Sequence, residues 1–271
     1  MLDPIAIFDS GVGGLSLLGH VADTLPYENI LYFADQAHVP YGPRPAIEIR
    51  HFCQAISQFL IEQGAKIIVV GCNTASAAAL TYLRQLFPTM PIVGMEPAVK
   101  PAAQQTKSGK VGVLATAVTF DSLRYSDLMT RFGKEITVYE DPCLGLVDLI
   151  EAGETHSPQT EQLLRPILAP MLNAGVDTLV LGCTHYPFVQ PLLAKLVGTA
   201  VTIIDPTPAV ARQTARVLQQ QNRLAPPSLS RQIHLLTTGN VSVLREFASQ
   251  VLSISFTLGT VVWQNHKLFT T

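Results

Sequence analysis

Two stretches of the chain decide its fold: residues 64–74, GAKIIVVGCNT, and residues 175–185, GVDTLVLGCTH. In each stretch, a Gly that ends a helical pattern is followed by a run of apolar residues typical of a buried strand, and then by Gly-Cys. We interpret the two stretches as an internal repeat, although strand–Gly–Cys also recurs by chance in α/β proteins. The repeat predicts two similar halves that each present a Cys at the same position.

Short apolar runs alternate with longer helical patterns along the rest of the chain. The runs predict further strands at residues 5–8, 30–33, 92–93, 111–114, 136–139, 201–204 and 233–236. The clearest helical patterns cover residues 46–63, 75–87, 188–197 and 241–252. Because strand and helix alternate, the sequence predicts an α/β fold whose parallel sheets are covered on both faces.

Composition excludes several classes of protein. The chain has 271 residues, which is enough for one large or two smaller domains. Charged residues make up 14% of it, and its net charge is −2. No run of Lys and Arg points to a nucleic acid or an anionic membrane. Its longest uncharged stretches, residues 67–83 and 178–194, are too interrupted by Gly, Pro and polar residues to span a bilayer.

The N-terminal residues lack a basic segment followed by an apolar one, which predicts a cytoplasmic protein. In a reducing compartment the cysteines are free thiols by default. There are four of them, at irregular spacings: Cys53, Cys72, Cys143 and Cys183.

Polar residues follow four of the predicted strands, where ligands bind in an open parallel sheet. They are residues 9–14 (DSGVGG), 35–38 (DQAH), 72–74 (CNT) and 183–185 (CTH). Cys72 and Cys183 each precede a predicted helix, whose free N–H groups and dipole favour a thiolate. Asn73, Thr74 and Thr184 are helix-capping types that would also bind a carboxylate ligand. The alternative is that each Cys is a small apolar residue packed at a strand end.

Two thiols on opposite sides of one cleft can invert a stereocentre. One thiolate removes a proton from a substrate carbon, and the other thiol returns a proton to the opposite face. Because a proton next to a carboxylate is very weakly acidic, such a site needs fixed hydrogen-bond donors and has to exclude water.

Several motifs occur in order along nearly the whole chain and together resemble the glutamate racemases of the aspartate/glutamate racemase family: residues 9–14, 39–42 (VPYG), 72–76 (CNTAS), 181–187 (LGCTHYP) and 238–240 (TGN). The resemblance implies an isomerase that interconverts L- and D-glutamate with two bases, without pyridoxal phosphate, another cofactor or a metal. It also implies supply of D-glutamate for peptidoglycan synthesis, and a homodimer.

The fold that this resemblance implies has two flavodoxin-like domains related by a pseudo-twofold axis, with the active site in the cleft between them. The first domain is discontinuous and comprises residues 1–97 and 207–271. The second comprises residues 98–206.

The resemblance also implies a role for each matching residue. Cys72 corresponds to the base for D-glutamate, with Asp9 nearby, and Cys183 to the base for L-glutamate, with His185 nearby. Glu151 is the third residue to which the resemblance assigns a catalytic role. The alternative interpretation is that Glu151 is a solvated carboxylate at a helix end. The implied substrate-binding residues are Asp9, Ser10, Asp35, Tyr41, Gly42, Asn73, Thr74, Thr184 and His185. Gln36 and His38 receive no role, and Cys53 and Cys143 are interpreted as structural.

Other functions are alternatives. The glycines at 11, 13 and 14 suggest a dinucleotide site, but Ser16 stands where that pattern needs its third Gly. A zinc site at Cys72, Cys183 and His185 lacks the usual close ligand pairs, and a covalent thiol hydrolase that uses His185 as base needs only one Cys. An aspartate or hydantoin isomerase of the same fold, and a binding module without turnover, are separable by a turnover assay.

Overall fold

The computed structural model describes residues 3–227 and 231–270, which form two β-sheets covered by helices. The strands are β1 Ile5–Asp9, β2 Ile30–Ala34, β3 Ile67–Val70, β4 Ile92–Gly94, β5 Lys110–Leu114, β6 Thr137–Asp141, β7 Thr178–Leu181, β8 Thr202–Ile204, β9 Ile233–Thr237, β10 Thr257–Gln264 and β11 Lys267–Thr270. The helices are α1 Leu15–Thr24, α2 Ala46–Glu62, α3 Asn73–Leu86, α4 Val99–Gln105, α5 Ala117–Phe120, α6 Leu123–Phe132, α7 Leu146–Glu151, α8 Pro158–Asn173, α9 Gln190–Val197, α10 Thr207–Gln220 and α11 Val241–Val251.

The strand order confirms the predicted α/β fold with parallel sheets. One sheet has the order β11-β10-β9-β2-β1-β3-β4 and the other β6-β5-β7-β8, and among their pairs β10–β11 is antiparallel. Both sheets contain the arrangement second-first-third-fourth, which is the doubly wound order of flavodoxin-like domains. Since β9 to β11 return to the first sheet, the topology supports a discontinuous first domain. The exact bounds at residues 97 and 206 stay a prediction.

The internal repeat is confirmed at the level of single residues. Gly64 and Gly175 follow α2 and α8 with φ of +84° and +81°, the left-handed conformation that ends helices and that Gly adopts readily. The strands β3 and β7 come next and are fully buried. Cys72 and Cys183 therefore occupy equivalent positions in the two halves.

Burial continues to the carboxyl end of β1. All of its five residues are buried, as are those of β2, because helices cover both faces of the sheet. Asp9 is the last of them, so the strand carries a carboxylate into the interior at the edge where ligands bind. Within the described ranges, none of the helices is both long and apolar enough to cross a membrane.

The sequence analysis missed the hairpin formed by β10 and β11. Asn265 and His266 join the two strands, and both have positive φ, 49° and 61°. Two residues with positive φ form the type of turn that matches strand twist, and Asn is common in it. Asn265 between two runs of alternating residues was the available signal.

A buried ion pair ties the chain after α10 to the first sheet. Lys66 Nζ lies 2.5 Å from Glu28 Oε2 and donates to the Arg223 carbonyl at 2.8 Å. The other oxygen, Glu28 Oε1, accepts from the Ala225 N–H at 2.8 Å. The Lys66 and Glu28 side chains are only 6% and 3% exposed, so each charge depends on the other.

We expect Lys66→Met to lower the free energy of unfolding by about 3–5 kcal/mol, because it leaves the Glu28 carboxylate buried and unpaired. Guanidinium chloride unfolding measures the change. The double variant Lys66→Met/Glu28→Gln should recover part of the loss, and Arg131→Met in an exposed pair should cost less than about 1 kcal/mol. Equal losses in the single and double variants would contradict this account.

Candidate active site

Residues from both halves line one cavity of 270 Å³ at the carboxyl ends of the strands. Its volume lies just below the roughly 300–1,000 Å³ typical of drug-sized ligands. A groove of 760 Å³ between α2 and β11 contains none of the predicted site residues. Of the predicted residues, the cavity is lined by Ser10, Tyr41, Gly42, Cys72, Thr74, Cys183 and His185.

Cys72 caps α3, which begins at Asn73 rather than at residue 75 as predicted. Its sulfur accepts the Ala75 N–H at 3.4 Å and lies 3.8 Å from Ser10 Oγ. The sequence argument favoured a thiolate here, and that expectation is wrong. Burial and the nearby Asp9 carboxylate raise the pKa of Cys72 to about 12, against the opposing hydrogen bonds, so Cys72 is a thiol at neutral pH.

Cys183 lies beside an imidazole that a carboxylate holds from its other side. The Cys183 sulfur is 3.7 Å from His185 Nδ1, and His185 Nε2 is 2.7 Å from Glu151 Oε1. Burial lowers the pKa of His185, but its hydrogen bonds to Cys183 and Glu151 outweigh burial and raise that pKa well above its ordinary value. His185 is therefore a cation that donates to both neighbours and stabilises negative charge on the sulfur.

Glu151 is not a solvated carboxylate at a helix end. Its side chain is 11% exposed, and Oε1 accepts the Val12 N–H at 2.7 Å as well as the His185 ring. Its other oxygen, Oε2, accepts from Gln36 Nε2 at 3.3 Å. Burial raises the pKa of Glu151, but the His185, Val12 and Gln36 hydrogen bonds lower it overall, so the carboxylate is ionised.

The glycines after β1 make room for this carboxylate and this imidazole. A Cβ atom at Gly11 would lie 1.9 Å from Glu151 Oε1, and one at Gly13 would lie 2.5 Å from His185 Nδ1. Both distances are far below van der Waals contact. The glycine cluster that suggested a dinucleotide site is thus required by close packing of the two halves.

Asp9 links the halves without lining the cavity. Its carboxylate is fully buried, and it accepts the Gly11 N–H at 2.9 Å and the Thr184 hydroxyl, from the other half, at 2.9 Å. Burial raises the pKa of Asp9. Its contact with Cys72 runs through Ser10, whose hydroxyl lies 3.4 Å from Asp9 Oδ1.

Asp35 is likewise not brought to the cavity. Its buried carboxylate lies 2.9 Å from His38 Nδ1 and accepts the Tyr41 hydroxyl at 2.8 Å, the Thr238 hydroxyl at 3.0 Å and the Trp263 ring N–H at 2.8 Å. Four partners occupy its two oxygens. The structure therefore indicates that Asp35 positions Tyr41, which does line the cavity, rather than contacting a ligand itself.

Asn73 and Thr74 begin α3 next to Cys72. The Thr74 and Thr116 hydroxyls lie 2.9 Å apart, across the two halves. The Asn73 side chain is 3% exposed, yet its Oδ1 and Nδ2 form no hydrogen bond with any described residue. Because buried polar groups in folded proteins are nearly always paired, this amide is available to a polar ligand. Neither Asn73 nor Thr184, however, lines the cavity itself.

The sequence analysis missed Thr116, which lines the cavity. The pairing of β1 with β3 and of β5 with β7 makes Thr116 the equivalent of Ser10, so the repeat itself contained the signal. Cys143 and Tyr186 also line the cavity, although Cys143 was interpreted as structural.

In residues 3–227 and 231–270, no group of three or more His, Cys, Asp and Glu side chains is arranged to hold a metal ion. All four cysteines are free thiols, as predicted. The arrangement can move protons at two sulfur atoms, one of them protonated by burial and the other beside an imidazolium.

We expect thiolate absorbance near 240 nm, followed from about pH 6 to about pH 10, to be the same for the wild type and Cys72→Ser, since the pKa of Cys72 is about 12. In guanidinium chloride the thiol is exposed and its pKa is about 8.5, so the absorbance change of the two proteins over this pH range should differ. A folded-state thiolate that Cys72→Ser removes below about pH 9 would contradict the effect of burial.

Comparison with known proteins indicates what kind of molecule has this site. A sequence profile of the Asp/Glu/Hydantoin racemase family matches residues 18–214. A glutamate racemase of Pseudomonas aeruginosa is 54% identical over 221 residues, which are 82% of this chain and 83% of its own. A glutamate racemase of Pseudomonas syringae pv. tomato is 52% identical over 222 residues, 82% of this chain and 81% of its own.

Solved structures match nearly the whole chain. A glutamate racemase isoform of Bacillus anthracis superposes with a TM-score of 0.84 at 31% identity, covering 98% of both chains. The Escherichia coli glutamate racemase, in complex with L-glutamate and the activator UDP-MurNAc-Ala, has a TM-score of 0.83 at 32% identity and covers 96% of this chain and 98% of its own. The Francisella tularensis enzyme with D-glutamate has a TM-score of 0.82 at 29% identity, covering 96% and 97%.

Proposed function

The chain belongs to the Asp/Glu/Hydantoin racemase family, and from this membership we propose that it is a glutamate racemase, an isomerase that interconverts L- and D-glutamate. The observation that carries the proposal is the pair of thiols, Cys72 and Cys183, which line one cavity from equivalent positions of two similar halves. The names of the relatives at 52–54% identity support glutamate over aspartate or a hydantoin.

The reaction is two proton transfers at the substrate Cα. In the L-to-D direction, Cys183 acts as a thiolate beside His185 and takes the Cα proton, so that a C–H bond breaks and an S–H bond forms. Cys72 acts as a thiol and gives its proton to the opposite face, so that its S–H bond breaks and a new C–H bond forms. In the D-to-L direction the two sulfur atoms exchange roles.

Hydrogen-bond donors at the strand ends lower the energy of the carbanion between these steps. Negative charge develops on the substrate α-carboxylate as the proton leaves, and preorganised donors stabilise it more than water does. Thr74 and Ser10, which line the cavity, supply such donors on the Cys72 side together with the Asn73 amide. On the Cys183 side the Thr184 hydroxyl already donates to Asp9, so the donor proposed there is the Thr184 backbone N–H. The unpaired amide of Asn73 supports this assignment.

The proposal includes the biological setting that the family implies. D-Glutamate made by this reaction supplies peptidoglycan synthesis, and the enzyme acts in the cytoplasm as a homodimer that needs neither cofactor nor metal. Four free buried thiols support a reducing compartment.

The decisive experiment follows L-glutamate in D₂O by proton NMR and circular dichroism, with dialysed, chelator-treated protein and no added cofactor. We expect loss of optical activity together with entry of deuterium at Cα. Aspartate in parallel should stay unchanged. Turnover of aspartate alone would reassign the substrate, and an unchanged signal for both amino acids would favour a thiol hydrolase or a binding module.

Replacing either sulfur should separate the two bases. We expect Cys72→Ser to reduce racemisation by roughly 10²–10⁴-fold and to abolish proton abstraction from D-glutamate, because a positioned acid–base group is lost. Exchange of the L-glutamate Cα proton with D₂O should partly persist, since Cys183 remains. For Cys183→Ser we expect the reverse: proton abstraction from L-glutamate is abolished, and exchange of the D-glutamate Cα proton partly persists because Cys72 remains.

The matched control is Cys53→Ala, because Cys53 is buried in α2 and does not line the cavity; it should keep racemisation within about threefold. Equal loss of proton exchange from both enantiomers in each single-sulfur variant, with a trapped acyl-enzyme, would support the covalent hydrolase instead.

A further inference from the structure

Gln36, to which the sequence analysis assigned no role, lies between the first sheet and Glu151. It follows β2 and is half-buried. Its Nε2 donates to Glu151 Oε2 at 3.3 Å, and its Oε1 accepts from the Thr237 hydroxyl, at the end of β9, at 2.6 Å. One side chain thus connects the end of a strand in one half to a carboxylate of the other half.

The orientation of this amide follows from its partners. An ionised carboxylate only accepts hydrogen bonds, so the amide has to present its NH₂ group to Glu151. Its oxygen then faces Thr237, whose hydroxyl accepts the Gly239 N–H at 2.9 Å and donates its own hydrogen to Gln36. The direction of every hydrogen bond from Gly239 to Glu151 is therefore fixed.

The same direction continues to the sulfur of Cys183. Glu151 Oε1 accepts from His185 Nε2, which leaves Nδ1 to face Cys183 at 3.7 Å. Oε1 has a second donor in the Val12 N–H, whereas Oε2 is held by Gln36. Without Gln36, the carboxylate is held at Oε1 alone, by Val12 and His185, so rotation about its Cγ–Cδ bond is less restricted and the angle at which Oε1 meets the imidazole is less well fixed.

Gly239, in the motif of residues 238–240, leaves space for the Gln36 side chain because it has no Cβ atom. A Cβ atom at Gly239 would lie 2.5 Å from the Gln36 Cβ, so a larger residue there would push Gln36 away from Glu151. This close approach explains Gly239, which the proton-transfer mechanism does not otherwise use.

We propose that Gln36 is a positioning residue for the Cys183 half of the reaction, which it serves by fixing Glu151 and, through Glu151, His185. The inference rests on the proposed racemase function. It goes beyond that function by assigning the Gln36 and Glu151 contacts to proton transfer at Cys183 and not at Cys72. The contacts of Cys72 are with Ser10 and Ala75, and none of the Gln36 hydrogen bonds reaches them.

Loss of Gln36 should therefore slow one of the two proton transfers. The equilibrium constant between enantiomers is 1, so kcat/KM has to change equally in both directions. The asymmetry appears instead in the isotope effect, because the label on the substrate is removed by Cys183 in one direction and by Cys72 in the other.

The experiment compares the wild type with Gln36→Met, which keeps the length of the side chain and removes the N–H donor. The primary deuterium isotope effect on kcat/KM is measured with L- and D-glutamate labelled at Cα. We expect kcat/KM to fall by about three- to tenfold in both directions, the range for an ordinary hydrogen bond, because the contact between Gln36 and Glu151 is long at 3.3 Å. The isotope effect should rise for L-glutamate and fall for D-glutamate.

Gln58→Met is the matched control, because Gln58 Nε2 donates to Glu62 Oε1 at 2.8 Å in the same way on the exposed face of α2. It should change neither kcat/KM nor the isotope effects. Thr237→Val is a second test variant, since it removes the hydroxyl that orients the Gln36 amide and leaves Gln36 in place. It should produce the same asymmetry to a smaller degree.

Isotope effects that change equally for the two enantiomers, or that stay at the wild-type values, would overturn the positioning role. If Gln36→Met fails to fold by circular dichroism, the isotope effects of Thr237→Val decide. Failure of the proposed function itself is distinct, because the wild type would then racemise neither enantiomer.

Discussion

A carboxylate with little access to water has to find donors for both of its oxygens, and Glu151 finds them in both halves of the molecule. Val12 and Gln36 donate from the first half and His185 from the second. Together with the Asp9–Thr184 and Thr74–Thr116 hydrogen bonds, this charge connects the two halves, and it also orients the imidazole and requires Gly at position 11. Much of the geometry of the cavity follows from satisfying it.

The two sulfur atoms differ because their surroundings differ. Cys72 lies under a buried carboxylate and is held as a thiol, whereas Cys183 lies beside a cation. A two-base reaction needs one sulfur to accept a proton and the other to give one, and the two exchange these roles with the direction of the reaction. The sequence analysis expected both sulfur atoms to precede a helix directly, but only Cys72 caps one, because α9 begins at Gln190, seven residues after Cys183. Burial and neighbouring charge decide the state of each sulfur atom.

The sequence predicts the part of this site that depends on local pattern. Buried strands, the repeat and the polar residues after β1, β3 and β7 follow from runs of apolar residues and from the rule that parallel strands end at one edge. The contacts of Glu151 with Val12 and Gln36 could not be predicted, since they join segments 139 and 115 residues apart. The same holds for the pKa of Cys72, which depends on tertiary burial, and for Asp35, whose partner Trp263 belongs to the hairpin that the sequence analysis missed.

The repeat is not complete at the site. In the strand pairing, Asp9 corresponds to Ala115 and Asn73 to Thr184, so Thr184 meets a carboxylate while Asn73 faces no counterpart of it. The two enantiomers of a substrate are mirror images, but the two walls that receive them are not. A mimic that cannot react will therefore bind more tightly in one handedness than in the other. Inhibitors can therefore exploit a difference in affinity between enantiomers, even though the enzyme has to convert both enantiomers of its substrate with equal kcat/KM.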